Sequence, residues 1–111
     1  MDTKSAIQAF EALSQDTRLS VVKLLVRAGP HGLPAGEIAA QLDCRQNTMS
    51  THLKLLNSAG LIGSRRQGRH IIYSAEFGTV RELVLFLMED CCAGNAAVCR
   101  PIAASLASPG N

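Results

Sequence analysis

A chain of 111 residues, 47% of them hydrophobic, has room for one domain with one small core. No apolar run is long enough to span a bilayer, and Met1-Asp2-Thr3-Lys4 leads into an amphipathic stretch rather than the core of a signal peptide. The expectation is a cytoplasmic protein without a membrane partner, its four cysteines reduced and not paired into a disulfide framework.

The net charge of +2 becomes informative once it is mapped. Between Cys44 and Ala75 there are five basic residues (Arg45, Lys54, Arg65, Arg66, Arg69) and no carboxylate. The remainder carries six basic and nine acidic residues. Positive charge confined to a third of the chain suggests a polyanion partner, with an ordinary solvated surface as the plain alternative.

In chain order, Ala6, Ile7, Phe10 and Leu13 recur at helical spacing and predict a first helix over 4–14. Asp16 is placed to cap a second, with Leu19, Val22, Leu25 and Val26 on its buried side. Ala28-Gly29-Pro30-His31-Gly32 stops that helix. Pro34 suits a first helical turn, and residues 35–42 form a short third helix. Asp43-Cys44-Arg45 is a tight turn, with Cys44 read as a turn or core residue, and a fourth helix runs from about Gln46 to Ala59. The period then changes. Residues 61–66 and 69–74 read as two strands joined at Gln67-Gly68. A last helix spans about Phe77 to Cys91, with Val80, Leu83, Val84, Leu87 and Met88 on one face, widened by Leu85 and Phe86. So broad an apolar arc exceeds the need of one small core and suggests helix-to-helix dimerisation.

The predicted fold class is therefore mainly α with a β-hairpin, in the order α-α-α-α-β-β-α: a winged helix-turn-helix, homodimeric. Residues 1–91 form the DNA-binding and dimerisation domain, and 92–111 a C-terminal tail whose end frays.

The fourth helix divides into two stripes. Met49, His52, Leu53 and Leu56 face inward, so His52 reads as a packed histidine. Gln46, Asn47, Ser50, Thr51 and Lys54 face outward. The outer stripe has hydrogen-bonding side chains and no Glu, which suits base edges in a major groove: Gln and Asn can grip adenine with two bonds. Arg45 and Lys54, at its ends, are placed to hold phosphates. Arg65, Arg66, Arg69 and His70 surround the hairpin tip, a natural backbone or minor-groove contact. The predicted partner is double-stranded operator DNA.

Leu13-Ser14-Gln15-Asp16-Thr17-Arg18-Leu19, Ile38-Ala39-Ala40-Gln41-Leu42, Met49-Ser50-Thr51-His52-Leu53-Lys54-Leu55-Leu56, Ala59-Gly60-Leu61-Ile62 and Arg66-Gln67-Gly68-Arg69-His70-Ile71-Ile72-Tyr73 follow one another in an order that resembles the ArsR/SmtB repressors over roughly residues 5–100. The resemblance implies a symmetric dimer that occupies its operator until an inducer binds. It also implies that the first and last helices pair the subunits, placing Ile7, Phe10, Val80, Val84, Leu87 and Met88 at the dimer interface.

The inducer is read from the cysteines. Cys91, Cys92 and Cys99 cluster at and beyond the end of the last helix, and Gly94-Asn95 permits the chain to reverse between them. Three thiolates make a soft, trigonal ligand set that suits As(III) or Sb(III) as inducer. The arrangement resembles the arsenite-responsive branch with its cysteine site at the C-terminus. Other family sites fit less well: Gly32 to Ile38 has no cysteine, and no His follows His70. A thiol redox or persulfide switch remains the main alternative. A structural zinc site would need a fourth ligand, and cysteines that merely pack are the plain reading. No nucleophile motif, phosphate loop or metal-hydrolase motif supports an enzyme or a catalytic cofactor.

Overall fold

The computed structural model describes residues 1–91. Helix α1 (Thr3–Leu13) starts at Asp2, whose carboxylate accepts the Ser5 amide at 2.8 Å. Hydrogen bonds from the Ser5 side chain and amide hold the Asp2 carboxyl below the usual aspartate range. Helix α2 (Asp16–Ala28) is capped by Gln15, whose side-chain oxygen accepts the Arg18 amide at 2.8 Å. Asp16, expected as the cap, is instead the first helical residue and accepts the Thr17 amide at 2.7 Å. The longer Gln15 side chain reaches the orphan amide, and a carboxylate in the first turn still suits the helix dipole.

Strand β1 (Leu33–Pro34), unforeseen in the sequence, precedes α3 (Ala35–Gln41). Pro34 is thus the residue before that helix, not one inside its first turn. Helix α4 (Gln46–Ser58) leads to β2 (Ile62–Gln67), β3 (His70–Ala75) and α5 (Phe77–Cys91). The sheet is antiparallel in the order β1-β3-β2. Gln67 pairs with His70, so the hairpin turn is Gly68-Arg69, one residue later than expected. Gly68 has φ +64° at the first turn position, where a II′-type loop needs glycine.

The core gathers Val21, Leu25, Ile38, Met49, Leu53, Leu56, Leu61 and Ile62 from α2, α3, α4 and the start of the hairpin. Among the described residues every buried side chain is apolar, and no helix is long and apolar enough to cross a membrane. Helix α1 buries Ala6, Ala9 and Ala12, small residues that let its backbone come close, and leaves Ile7 52% exposed.

Two expected core residues are not in the core. Leu19 and Val26 are 45% and 40% exposed, while Val21, Val22, Leu24 and Leu25 form the buried side of α2. Leu19 and Val26 line an open apolar groove of about 450 Å³ together with Phe10, Val80, Val84 and Leu87. Helical spacing finds the apolar arc of α2, but half of that arc faces this groove instead of the protomer's interior. Helix α5 fully buries only Leu83 among its described side chains; Leu87 is 51% exposed.

Candidate nucleic-acid interface

Helices α3 and α4 are joined through Leu42-Asp43-Cys44-Arg45. Asp43 takes φ +50°, a left-handed conformation that Asp tolerates better than most residues. The Cys44 amide closes the turn by bonding Ala39 O at 2.9 Å. Cys44 is half-buried against the core, its thiol near Arg45 O at 3.6 Å, in keeping with a turn-and-core residue.

The turn fixes the rotation of α4. Met49, Leu53 and Leu56 anchor it to the core, and Gln46, Asn47, Ser50, Thr51 and Lys54 all face solvent on the opposite side. Thr48 is exposed as well, although it lies outside the polar stripe that the sequence pattern marks. Two of the polar side chains also bond their own helix: Asn47 accepts the Thr48 amide at 2.9 Å, and the Thr51 hydroxyl donates to Asn47 O at 3.4 Å. Gln46 lies over α3, its side-chain nitrogen 3.1 Å from where a Cβ on Gly36 would stand. Arg45 occupies the N-cap position of α4 without a side-chain cap bond.

The hairpin projects its basic residues unequally. Arg65, Arg66, Arg69 and His70 are all exposed. Arg65, however, donates to His31 O at 2.7 Å, which ties the root of the hairpin to the loop after α2. Arg66 folds toward the tip and donates to Gly68 O at 3.4 Å, and Arg69 occupies the turn itself. Asn57 reaches Ser64 at 3.4 Å and links the end of α4 to β2. A polar helix and a basic hairpin thus stand next to each other, linked through Asn57 and Ser64.

Comparison with known proteins bears on what that pairing is. A helix-turn-helix domain model matches residues 13–65. The arsenical resistance operon repressor of Escherichia coli (strain K12) is 39% identical over 67 residues, 60% of this chain and 56% of that protein. The chain thus spans little more than half the length of that relative. An uncharacterized HTH-type transcriptional regulator of Methanocaldococcus jannaschii is 30% identical over 86 residues, 78% of this chain and 94% of that protein. Among solved structures, an ArsR-like transcriptional regulator from Rhodococcus sp. RHA1 superposes with a TM-score of 0.68 at 25% identity, over 90% of this chain and 93% of that one. A homodimeric winged helix-turn-helix DNA-binding domain from Mycobacterium bovis shares the fold with a TM-score of 0.65 at 23% identity, over 80% and 81%. The chain belongs to the ArsR/SmtB family of winged helix-turn-helix regulators.

The family to which it belongs is one of helix-turn-helix transcriptional regulators. In this chain α4 occupies the second-helix position of the helix-turn-helix and the β2–β3 hairpin is the wing. His52, expected to be packed, is half-buried and lies 3.2 Å from Arg18, a contact that helical spacing within α4 has no means of revealing. Of the sequence-predicted ligands, Cys91 closes α5, whereas Cys92 and Cys99, with the rest of the 92–111 tail, lie outside the described residues. Among the described residues no group of three or more His, Cys, Asp or Glu side chains is placed to hold a metal ion.

Proposed function

We propose that this regulator is a homodimeric repressor that holds operator DNA through α4 and the wing, and releases it when trivalent arsenic or antimony is captured by Cys91, Cys92 and Cys99. The observation that carries the DNA reading is the carboxylate-free polar face of α4 standing beside a wing with Arg66 and Arg69 at its tip. Gln46, Asn47, Ser50 and Thr51 would meet base edges, while Arg45, Lys54, Arg65, Arg66, Arg69 and His70 would hold the backbone or minor groove. Two copies of α4 in a symmetric dimer would enter successive major grooves of an imperfect palindrome about one helical turn apart.

The dimer is supported by the groove between α1, α2 and α5. It is lined mainly by apolar side chains, with Lys23 and Arg27 among them, and Leu87 in its wall is half-exposed. Ile7, Phe10, Val80, Val84, Leu87 and Met88 are its proposed interface. A second copy's α5 is an occupant of matching length and apolarity.

The inducer reading rests on the donor set. Three thiolates and no histidine after His70 favour a soft, pyramidal ion, whose lone pair takes the fourth position. Cys91 ends the very helix that lines the dimer groove. Closure of the three sulfurs around one ion would therefore pull on the dimer helix and shift the spacing of the two reading heads. By linkage, operator DNA must weaken inducer binding by the same factor that inducer weakens DNA binding.

The test is fluorescence anisotropy on a duplex selected from a randomised pool, in reductant, titrated separately with arsenite, antimonite, zinc and peroxide. Release by arsenite or antimonite alone, abolished in Cys92→Ser, is the expected result. Release by peroxide would transfer the cysteines to a thiol redox switch, and release by none of the four would refute the metalloid site.

The wing makes a separate quantitative expectation. Removing one cation that neutralises a phosphate lowers the slope of log affinity against log salt by about 0.9. Arg66→Ala and Arg69→Ala should each do so. Arg65→Ala should change the slope less, because Arg65 is committed to His31 O. Equal slopes for all three variants would contradict this division of labour.

A further inference from the structure

Arg18 and His52, both half-buried, meet where α1, α2 and α4 come together, and neither has a place in the proposed DNA or inducer contacts. Arg18 lies in the first turn of α2, with its amide held by the Gln15 cap. Its Nε donates to Ala12 O at 2.6 Å, within the last turn of α1, where carbonyls have no helical partner and a cation is favoured. Its Nη1 lies 3.2 Å from His52 Nδ1 on α4. A guanidinium has only donors, so Nδ1 must be the acceptor and the imidazole proton sits on Nε2. One planar, rigid group thus spans the end of α1 and the middle of α4. Arginine can make two such bonds at once, whereas lysine offers a single point charge.

We propose that Arg18 is a positioning residue for operator recognition: by gripping His52 it fixes the pitch of α4 relative to α1, and so sets how accurately the outer face of α4 meets base edges. Met49, Leu53 and Leu56 hold the body of α4 by apolar contacts, which are non-directional and tolerate small rotations, and the polar contact from Asn57 to Ser64 lies at its C-terminal end. His52 lies within about one turn of all three and adjoins Thr51 on the outer stripe, so a directional bond there resists the motion those contacts allow. The inference rests on α4 as the base-contacting helix. It deepens that reading by adding control from α1, the helix that carries the proposed dimer residues Ile7 and Phe10.

The experiment compares the 111-residue chain and its variants on a selected duplex and on a scrambled duplex of equal length. Circular dichroism at the assay temperature checks that each variant is folded. Arg18→Met and His52→Leu should each weaken binding to the selected duplex roughly tenfold, with the scrambled duplex and the salt slope unchanged. The double variant should be no worse than Arg18→Met, because that substitution alone already removes the bond to His52. His52→Gln, which keeps an acceptor, should retain most of the discrimination. Arg18→Lys should lose most of it while keeping the charge, and it serves if Arg18→Met does not fold. Additive losses in the double variant, equal losses on both duplexes, or unchanged discrimination would each overturn the proposal. Asn47→Ala reports on the underlying reading. If it leaves discrimination intact, α4 is not the base reader; if it reduces discrimination while Arg18→Met does not, only the positioning role fails.

Discussion

Gly32→Ala will cost about 3 kcal/mol or more of stability, through backbone strain and steric overlap together. Gly32 has φ +71°, where an L-residue with a Cβ is strained by about 1–2 kcal/mol. A Cβ at this position would also run into the Tyr73 carbonyl oxygen and stand 3.1 Å from Ser74 Cβ. Neither neighbour is the loose end of a flexible side chain. Tyr73 is in β3, paired on one side with Leu33 and on the other with Ser64. Relief therefore requires the loop and β1 to leave the sheet. That movement would also displace His31, whose carbonyl holds Arg65 at the root of the wing.

Gly68→Ala is the control. Its φ of +64° is similar, but nothing lies within 4 Å of the Cβ it would add. It should lose only the backbone term, about 1 kcal/mol. In thermal melts at matched protein concentration, the midpoint should fall by about 12 °C or more for Gly32→Ala and about 4–8 °C for Gly68→Ala. Equal drops would show that the close approach to Tyr73 is not what makes Gly32 necessary.

Leu87→Glu will abolish dimerisation at micromolar concentration, and selected-duplex binding with it. Leu87 is 51% exposed in the protomer and lines the apolar groove shared by α1, α2 and α5. In the proposed dimer each copy's Leu87 is covered by the other, and symmetry counts every substitution twice. Removing a leucine from apolar surroundings costs about 1.5–3 kcal/mol. Burying a carboxylate there without a partner adds several kcal/mol. A combined loss of roughly 5 kcal/mol raises the dissociation constant more than a thousandfold. Because Leu87 contributes little to the protomer core, the variant should remain folded. Sedimentation velocity will show a monomer with a native helical spectrum. A dimer that survives Leu87→Glu would place the interface elsewhere. Binding to the selected duplex that persisted in a proven monomer would remove dimerisation from the recognition mechanism.

These effects divide along the line between local and long-range information. Helix periods, Gly29 as a stop and the carboxylate-free stripe of α4 are properties of neighbouring residues. The order of helices, the hairpin and the inward side of α4 are therefore legible before the chain folds. So is the confinement of positive charge to one third of the chain, since charge position along α4 and the wing follows from spacing alone. The sequence was silent on β1, a two-residue strand that exists only because β3 offers it an edge. It misplaced the wing turn by one residue, because Gln67-Gly68 and Gly68-Arg69 both offer a glycine and only the pairing of Gln67 with His70 chooses between them.

Which part of each apolar arc is covered depends on long-range packing. The alanines of α1 are buried and Ile7 is not, because close helix approach rewards small side chains. Leu19 and Val26 of α2 face the open groove, while Val21 and Leu24 turn inward. Periodicity gives the direction of an apolar stripe but not the identity of what it meets. The grip of Arg18 on Ala12 and His52 joins positions six and thirty-four residues apart, and no local pattern in the sequence specifies such a meeting. It arises only when three helices pack into one core.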